Sequence, residues 1–227
     1  MNEIVSQFAI QGNVVEVAPL GNGLINTTYR VKTEEGQPDY VLQNVNNAIF
    51  PDVEMLMDNI VAVTSHIRAK LEAAGTEDID RKVLNFIPTK DGKYFYFDGA
   101  KYWRVMAFIP DTKSMTAVTP ETSYIVGETF GNFQAMLADI PAQLGETIKD
   151  FHNTPKRFDN LEAAINNNLA GRADTVKEDI EFAMARRAES GKLLDLHAQG
   201  RIPLRVTHND TKLNNILFDD ETNEGIC

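Results

Sequence analysis

The sequence predicts an α+β protein: an antiparallel sheet with one inserted helix, followed by a mainly helical second half. Three observations carry this. Short β-branched and aromatic runs with partial alternation fill the first half, and two Asp-Gly turns separate the last of them. Beyond Pro110 the apolar residues recur at three and four instead of two.

Taken in order, "NVVEVAPL" (13–20) and "INTTYRVKT" (25–33) read as strands joined by Gly21-Asn22-Gly23, and "DYVLQNV" (39–45) as a third. Pro51-Asp52 opens a helix in which Val53, Leu56, Ile60, Val63, Ile67 and Leu71 share one face, and Gly75 ends it. A meander is expected next: "KVLNFI", Asp91-Gly92, "KYFYF", Asp98-Gly99, "KYWRVMAFI". Pro120 sits where a helix should start, with Tyr124, Ile125, Phe130, Phe133 and Leu137 at helical spacing. Short helical pieces are expected in "PAQLGETIKDFHNTP" and "RFDNLEAAINNNL". A long amphipathic helix is expected in "TVKEDIEFAMARRAESGKLLDLHAQG", with Val176, Ile180, Met184 and Leu194 inward. "IPLRVTHND" reads as a β-rich run. The change of character places a boundary at Ile109–Pro110, giving an N-lobe over 1–109 and a C-lobe over 110–227.

Composition narrows the function classes. With 227 residues, 43% hydrophobic and 24% charged, the chain is long enough to bury a core. A net charge of -11 argues against a nucleic-acid binder or an anionic-membrane binder, both of which need basic surface. No apolar run is long enough to span a bilayer, and the start "MNEIVSQFAIQG" lacks the pattern of a signal peptide. The single cysteine, Cys227, excludes an intramolecular disulfide, so a cytoplasmic protein is expected.

The chemistry concentrates in "THNDTKLNNIL". His208, Asp210 and Asn215 fit H-x-D-x-x-x-x-N, the pattern of kinase catalytic loops. There an aspartate accepts the proton of an attacking hydroxyl, and an amide oxygen five residues on reaches a Mg²⁺ carried by the nucleotide. Gly21, Asn22 and Gly23 lie where a phosphate-covering turn would lie, although Asn26 stands in place of a third glycine. The third strand should carry a lysine that bridges phosphates, and Gln43 stands there instead. "RVMAFIPDT" (104–112) is the expected hinge, with backbone groups from Ala107 to Ile109 available to adenine. His66 and His197 read as helix residues without an assigned role. There is no Cys/His metal cluster, G-x-S-x-G or Walker A sequence.

With this order and "THNDTKLNNIL" in hand, the sequence resembles the aminoglycoside phosphotransferase and choline kinase superfamily. "GNGLINTTYRV", "YVLQNVNNAIFPDVEMLMDNI", "FGNFQAMLADI", "DFHNTPKRF" and "IPLRVTHNDTKLNNIL" are similar to N-acetylhexosamine 1-kinases, a likeness running from about Phe8 to Leu217. The resemblance implies a two-lobed protein-kinase-like fold and ATP- and Mg²⁺-dependent phosphorylation of the anomeric hydroxyl of a small sugar, GlcNAc or GalNAc. It also implies that Asp210 is the base or hydroxyl-orienting group, Lys212 steadies the transferring phosphate and Asn215 is a metal ligand. Gln43 in place of the lysine looks familiar within that group.

A second metal-binding aspartate is expected about ten to fifteen residues beyond the asparagine of the loop. The chain stops first, with "NILF" expected as a strand, "DDETNEG" as a turn and "IC" as the beginning of a returning strand. We therefore expect an open hairpin and a fragment of a longer kinase, weakly active as it stands. Alternatives are a kinase for another hydroxyl acceptor (an aminoglycoside, choline or homoserine) and a non-catalytic nucleotide-binding remnant.

Overall fold

The computed structural model describes residues 1–21, 23 and 25–227. The chain forms two compact units, Met1–Thr147 together with Val206–Cys227, and Ile148–Arg205. Neither junction falls at Ile109–Pro110.

The first unit begins with a short helix α1 (Asn2–Val5), then β1 (Val14–Pro19), β2 (Thr27–Thr33), β3 (Tyr40–Val45), the long helix α2 (Val53–Ala73), and α3 (Ile79–Lys82). It continues through β4 (Phe86–Ile87), β5 (Tyr96–Phe97), β6 (Tyr102–Ala107), β7 (Thr112–Lys113) and α4 (Pro120–Met136). The main sheet runs β1-β2-β3-β6-β4, antiparallel throughout, which is the α+β arrangement the sequence predicts.

The expected meander is corrected in one respect. β4 and β5 do not pair with each other; both pair with β6, β4 at Met106 and Val105, β5 at Trp103 and Tyr102. The Asp98-Gly99 turn is a true hairpin. The Asp98 carboxylate accepts from the amides of Ala100 and Lys101 and from Trp103 Nε1 at 2.7 Å, so one side chain satisfies the turn and the buried indole together.

Alternation in the strands divides the core into two faces. Val31, Tyr40, Leu42, Trp103 and Val105 point to one side, where Val5 and Phe8 close the layer. On the other side Val45 and Phe86 meet Val53 and Met57 of α2, with Leu56 and Ile60 beside them. Farther along α2, Ile67, Val63 and Leu71 pack with Leu137, Phe133 and Val206. The apolar stripe of α2 is therefore where its spacing places it, capped by the Asp52 carboxylate accepting from Met55 N–H at 2.9 Å. In α4, Thr119 and Thr122 form a reciprocal capping box just before Pro120. Tyr124, one of the apolar residues at helical spacing, is 73% exposed.

Three further expectations are corrected. Residues 141–153 are irregular, not helical: Gly145 crosses close against Met55, and its N–H and C=O both bond the Asn59 side-chain amide, at 2.9 and 2.8 Å. "IPLRV" forms no strand. The expected open hairpin is closed: β8 (Phe218–Asp219) pairs with β7, and Leu217 exchanges backbone hydrogen bonds with Ile226 and Cys227, each 2.7 Å.

The second unit holds α5 (Thr154–Asn167), α6 (Lys177–Met184) and α7 (Lys192–Ala198). The single long helix expected here is broken after Met184 and again at Ser190-Gly191, where Ser190 Oγ turns back to Arg187 C=O at 2.7 Å. Val176 and Leu194, expected inward, are exposed, and no residue of this unit is buried.

Candidate active site

The loop at 207–215 is held at both ends within the first unit. At its start the His208 ring meets Phe130 and Phe133 of α4 edge-on, with centroids 5.2 and 5.9 Å apart. Burial between these rings pulls the His208 pKa below its ordinary value, against the opposing pull of the Asp210 charge. Asn209 adopts φ +66°, a left-handed conformation that asparagine tolerates better than most residues, and its Oδ1 accepts from Thr207 Oγ1 at 2.6 Å. The chain reverses there and turns Asp210 outward.

Asp210, Lys212 and Asn215 lie side by side. Lys212 Nζ lies 3.0 Å from Asp210 Oδ2, and Asn215 Nδ2 donates to the same oxygen at 2.9 Å and to the Asp210 carbonyl at 2.8 Å. These donors, Lys212 first, hold the Asp210 carboxyl below its ordinary pKa. All three residues are exposed. A short 3₁₀ turn over Leu213–Asn215 leads into buried Ile216 and Phe218, which anchor the far end.

Whether this set suits a Mg²⁺ depends on the orientation of the Asn215 amide. Its nitrogen is committed twice to Asp210, so Oδ1 is the atom left to accept, a hard oxygen of the kind Mg²⁺ takes. Among the described residues no three His, Cys, Asp or Glu side chains cluster as a metal cage. The donor set fits an ion held mainly by nucleotide phosphates and water, with Asn215 as one protein ligand.

The residues expected on the nucleotide side are spread over the β1–β2 turn, the central strand β3 and the end of β6. Gly21 has φ +68°, and a Cβ on Gly23 would stand 2.8 Å from the Asn26 carbonyl, so both positions demand glycine. Asn22 lies outside the described residues. Asn26, in the place of a third glycine, accepts from Asn46 N–H at 2.9 Å and ties the start of β2 to the end of β3. Gln43 faces α2 beside Arg104, whose Nε and Nη2 both donate to Gln43 Oε1. Where the hinge is expected, Ala107 N–H is spent on Asn85 C=O at 2.8 Å, and Ile109 C=O accepts from Thr112 Oγ1 at 2.9 Å.

Two features escape sequence reasoning. Arg104 is one arginine in an otherwise apolar strand, a signal available only once β3 and β6 are known to be neighbours. The second is a clamp: Arg81 Nη2 donates to Asp111 C=O and Asp219 Oδ2, each at 3.0 Å, joining α3, the segment before β7 and β8. No helix among the described residues is long and apolar enough to cross a membrane.

Among solved structures, the chain is similar to spectinomycin phosphotransferase APH(9)-Ia, determined in complex with ADP and spectinomycin. The TM-score is 0.46 at 12% identity, covering 97% of this chain and 65% of that one. The model of the phosphotransferase enzyme family, APH, matches residues 16–226, nearly the whole chain. On that match, the chain belongs to the phosphotransferase enzyme family.

Proposed function

We propose that the protein is an ATP-dependent small-molecule kinase whose acceptor is the anomeric hydroxyl of an N-acetylhexosamine. The observation that carries the kinase reading is the triad at the loop: an ionised Asp210 carboxylate, outward-facing, fixed by Lys212 and Asn215. The sugar reading is supported by the long segments from "GNGLINTTYRV" to "IPLRVTHNDTKLNNIL" that resemble N-acetylhexosamine 1-kinases. The lobe division at Ile109–Pro110 belongs to the same proposal, with adenine meeting the Ala107 carbonyl and the Ile109 N–H, since the Ala107 N–H is already committed.

In the proposed reaction Asp210 accepts a hydrogen bond from the acceptor hydroxyl and aims its oxygen at the γ-phosphorus. As the new P–O bond forms and the bond to the β-phosphate oxygen breaks, the hydroxyl proton passes to Asp210 and ADP leaves. A carboxylate as acidic as this one is a weak base toward a free alcohol, so the proton moves late and orientation is the larger part of its role. Lys212 turns from Asp210 toward the transferring phosphoryl group, and Gly21 and Gly23 let backbone N–H groups approach the nucleotide. A Mg²⁺ bound with the nucleotide supplies charge neutralisation, held on the protein side by Asn215.

The test is an acceptor panel (GlcNAc, GalNAc, an aminoglycoside, choline, homoserine) read by ADP release, with D210N as control. GlcNAc or GalNAc should give the highest kcat/KM, and D210N should lower kcat by about 10²- to 10⁴-fold. ADP release from another acceptor alone would replace the sugar, and a D210N variant with full activity would remove the kinase reading.

A further inference from the structure

The face of the sheet that carries α2 bears a row of polar side chains at neighbouring register positions. Thr28 of β2 stands opposite Gln43 of β3, and Gln43 opposite Arg104 of β6. They are linked in one direction. Arg104 Nε and Nη2 donate to Gln43 Oε1 at 2.9 and 2.6 Å, and Gln43 Nε2 donates to Thr28 Oγ1 at 3.0 Å. The third guanidinium nitrogen, Nη1, rests 3.7 Å from Met57 Sδ, and the Phe86 ring lies 5.5 Å from the guanidinium carbon.

None of these partners is an anion. Desolvation brings the Arg104 pKa down to about 10, so the group is still protonated at neutral pH. A packed cation countered by an amide dipole, a sulfur and a ring face is costly to fold around, and a bound anion would offset that cost. Thr28, Gln43 and Arg104 are each partly and not fully buried as residues.

The choice of glutamine also acquires a reason. A glutamate at position 43 would orient the guanidinium but cancel its charge. A lysine would repel it. The neutral amide orients it through two hydrogen bonds and leaves the charge available.

We propose that Arg104 supplies, from β6, the cation that meets the phosphates of the nucleotide donor, and that Gln43 is its positioning residue. The charge that kinases of this general design carry on the third strand has moved one strand across, to the residue hydrogen-bonded to that position. This inference rests on the nucleotide-dependent reading above.

The experiment compares binding of ADP and of adenosine, by calorimetry, to this chain and to its R104M, Q43K and Q43K/R104M variants, each checked for fold by far-UV circular dichroism. Loss of Arg104 in R104M should weaken ADP about 10- to 100-fold, the range of a charge-assisted hydrogen bond, and leave adenosine unchanged. Q43K, with two cations in contact, should also weaken ADP. The double variant, with one cation returned to the third strand, should recover most of the loss. Folded R104M that binds ADP as tightly as the parent overturns the proposal, as does equal weakening of ADP and adenosine, which would mark a purely structural arginine. A parent chain that binds neither ligand overturns the nucleotide reading itself, a result distinct from either.

Discussion

At the scale of single residues, two ionisable groups two positions apart are tuned by opposite means. His208 is pushed toward its neutral form by the aromatic walls of α4, whereas Asp210 is held ionised by the cation and amide that touch it. At neutral pH the loop therefore presents a neutral ring and a charged carboxylate. Replacing Lys212 by methionine removes the first of the influences that depress Asp210. The carboxyl pKa should rise toward its ordinary value, a change read directly by carbon-13 NMR titration of the Asp210 side chain. An unshifted titration would mean that Asn215 and the backbone alone fix the charge. The arrangement of Asp210, Lys212 and Asn215 was legible in the sequence, because the spacing of the motif is local and one loop brings the three together. Arg104 was not, because its meaning depends on a register between strands separated by about sixty residues, which no local pattern carries.

At the scale of elements, legibility followed how far each signal had to act. Asp98-Gly99 and the capped starts of α2 and α4 were readable because capping and turn chemistry are settled within four residues. β4 and β5 were placed as neighbours in error, since a two-residue strand has no register of its own and both add to the longer β6. "IPLRV" has strand-forming residues but joins no strand, and the apolar spacing of 175–200 continues across the breaks after Met184 and at Ser190-Gly191. The Arg81–Asp219 clamp ties three such elements and gives an element-scale prediction. Asp219, held down to about 2 by the Thr222 amide and by Arg81, adds stability that is complete above about pH 4 and is lost as pH falls toward 2. Thermal melts of the parent should lose stability across that window. D219N should be less stable at neutral pH and flatter below pH 4; identical melting curves for the two would show that the clamp adds nothing.

For the whole molecule, the two units differ in what holds them. Met1–Thr147 with Val206–Cys227 contains every buried residue, layered on both faces of the sheet. Ile148–Arg205 has none, and Leu169, Phe182, Leu193 and Leu204 are each more than 60% exposed. Only α5 carries a side-chain cap, from Asn153, and surface ion pairs such as Arg187 with Asp159 and Glu162 contribute on the order of 1 kcal/mol or less apiece. Hydrogen exchange should therefore proceed at least about a hundredfold faster in α5, α6 and α7 than in β3 and β6, as low-stability local openings require. Comparable protection in both would reveal a core that the helices share.

The pairing of β7 with β8 has a temporal consequence as well. It joins Thr112 to Asp219, so the far end of the loop bearing Asp210 is secured by closing roughly a hundred residues of chain, a slow step for any polypeptide. The sheet and α2 can assemble from nearer contacts. During refolding, nucleotide-side structure should mature before the loop does, and a nascent chain emerging from the ribosome would carry a finished sheet well before it carried a working site.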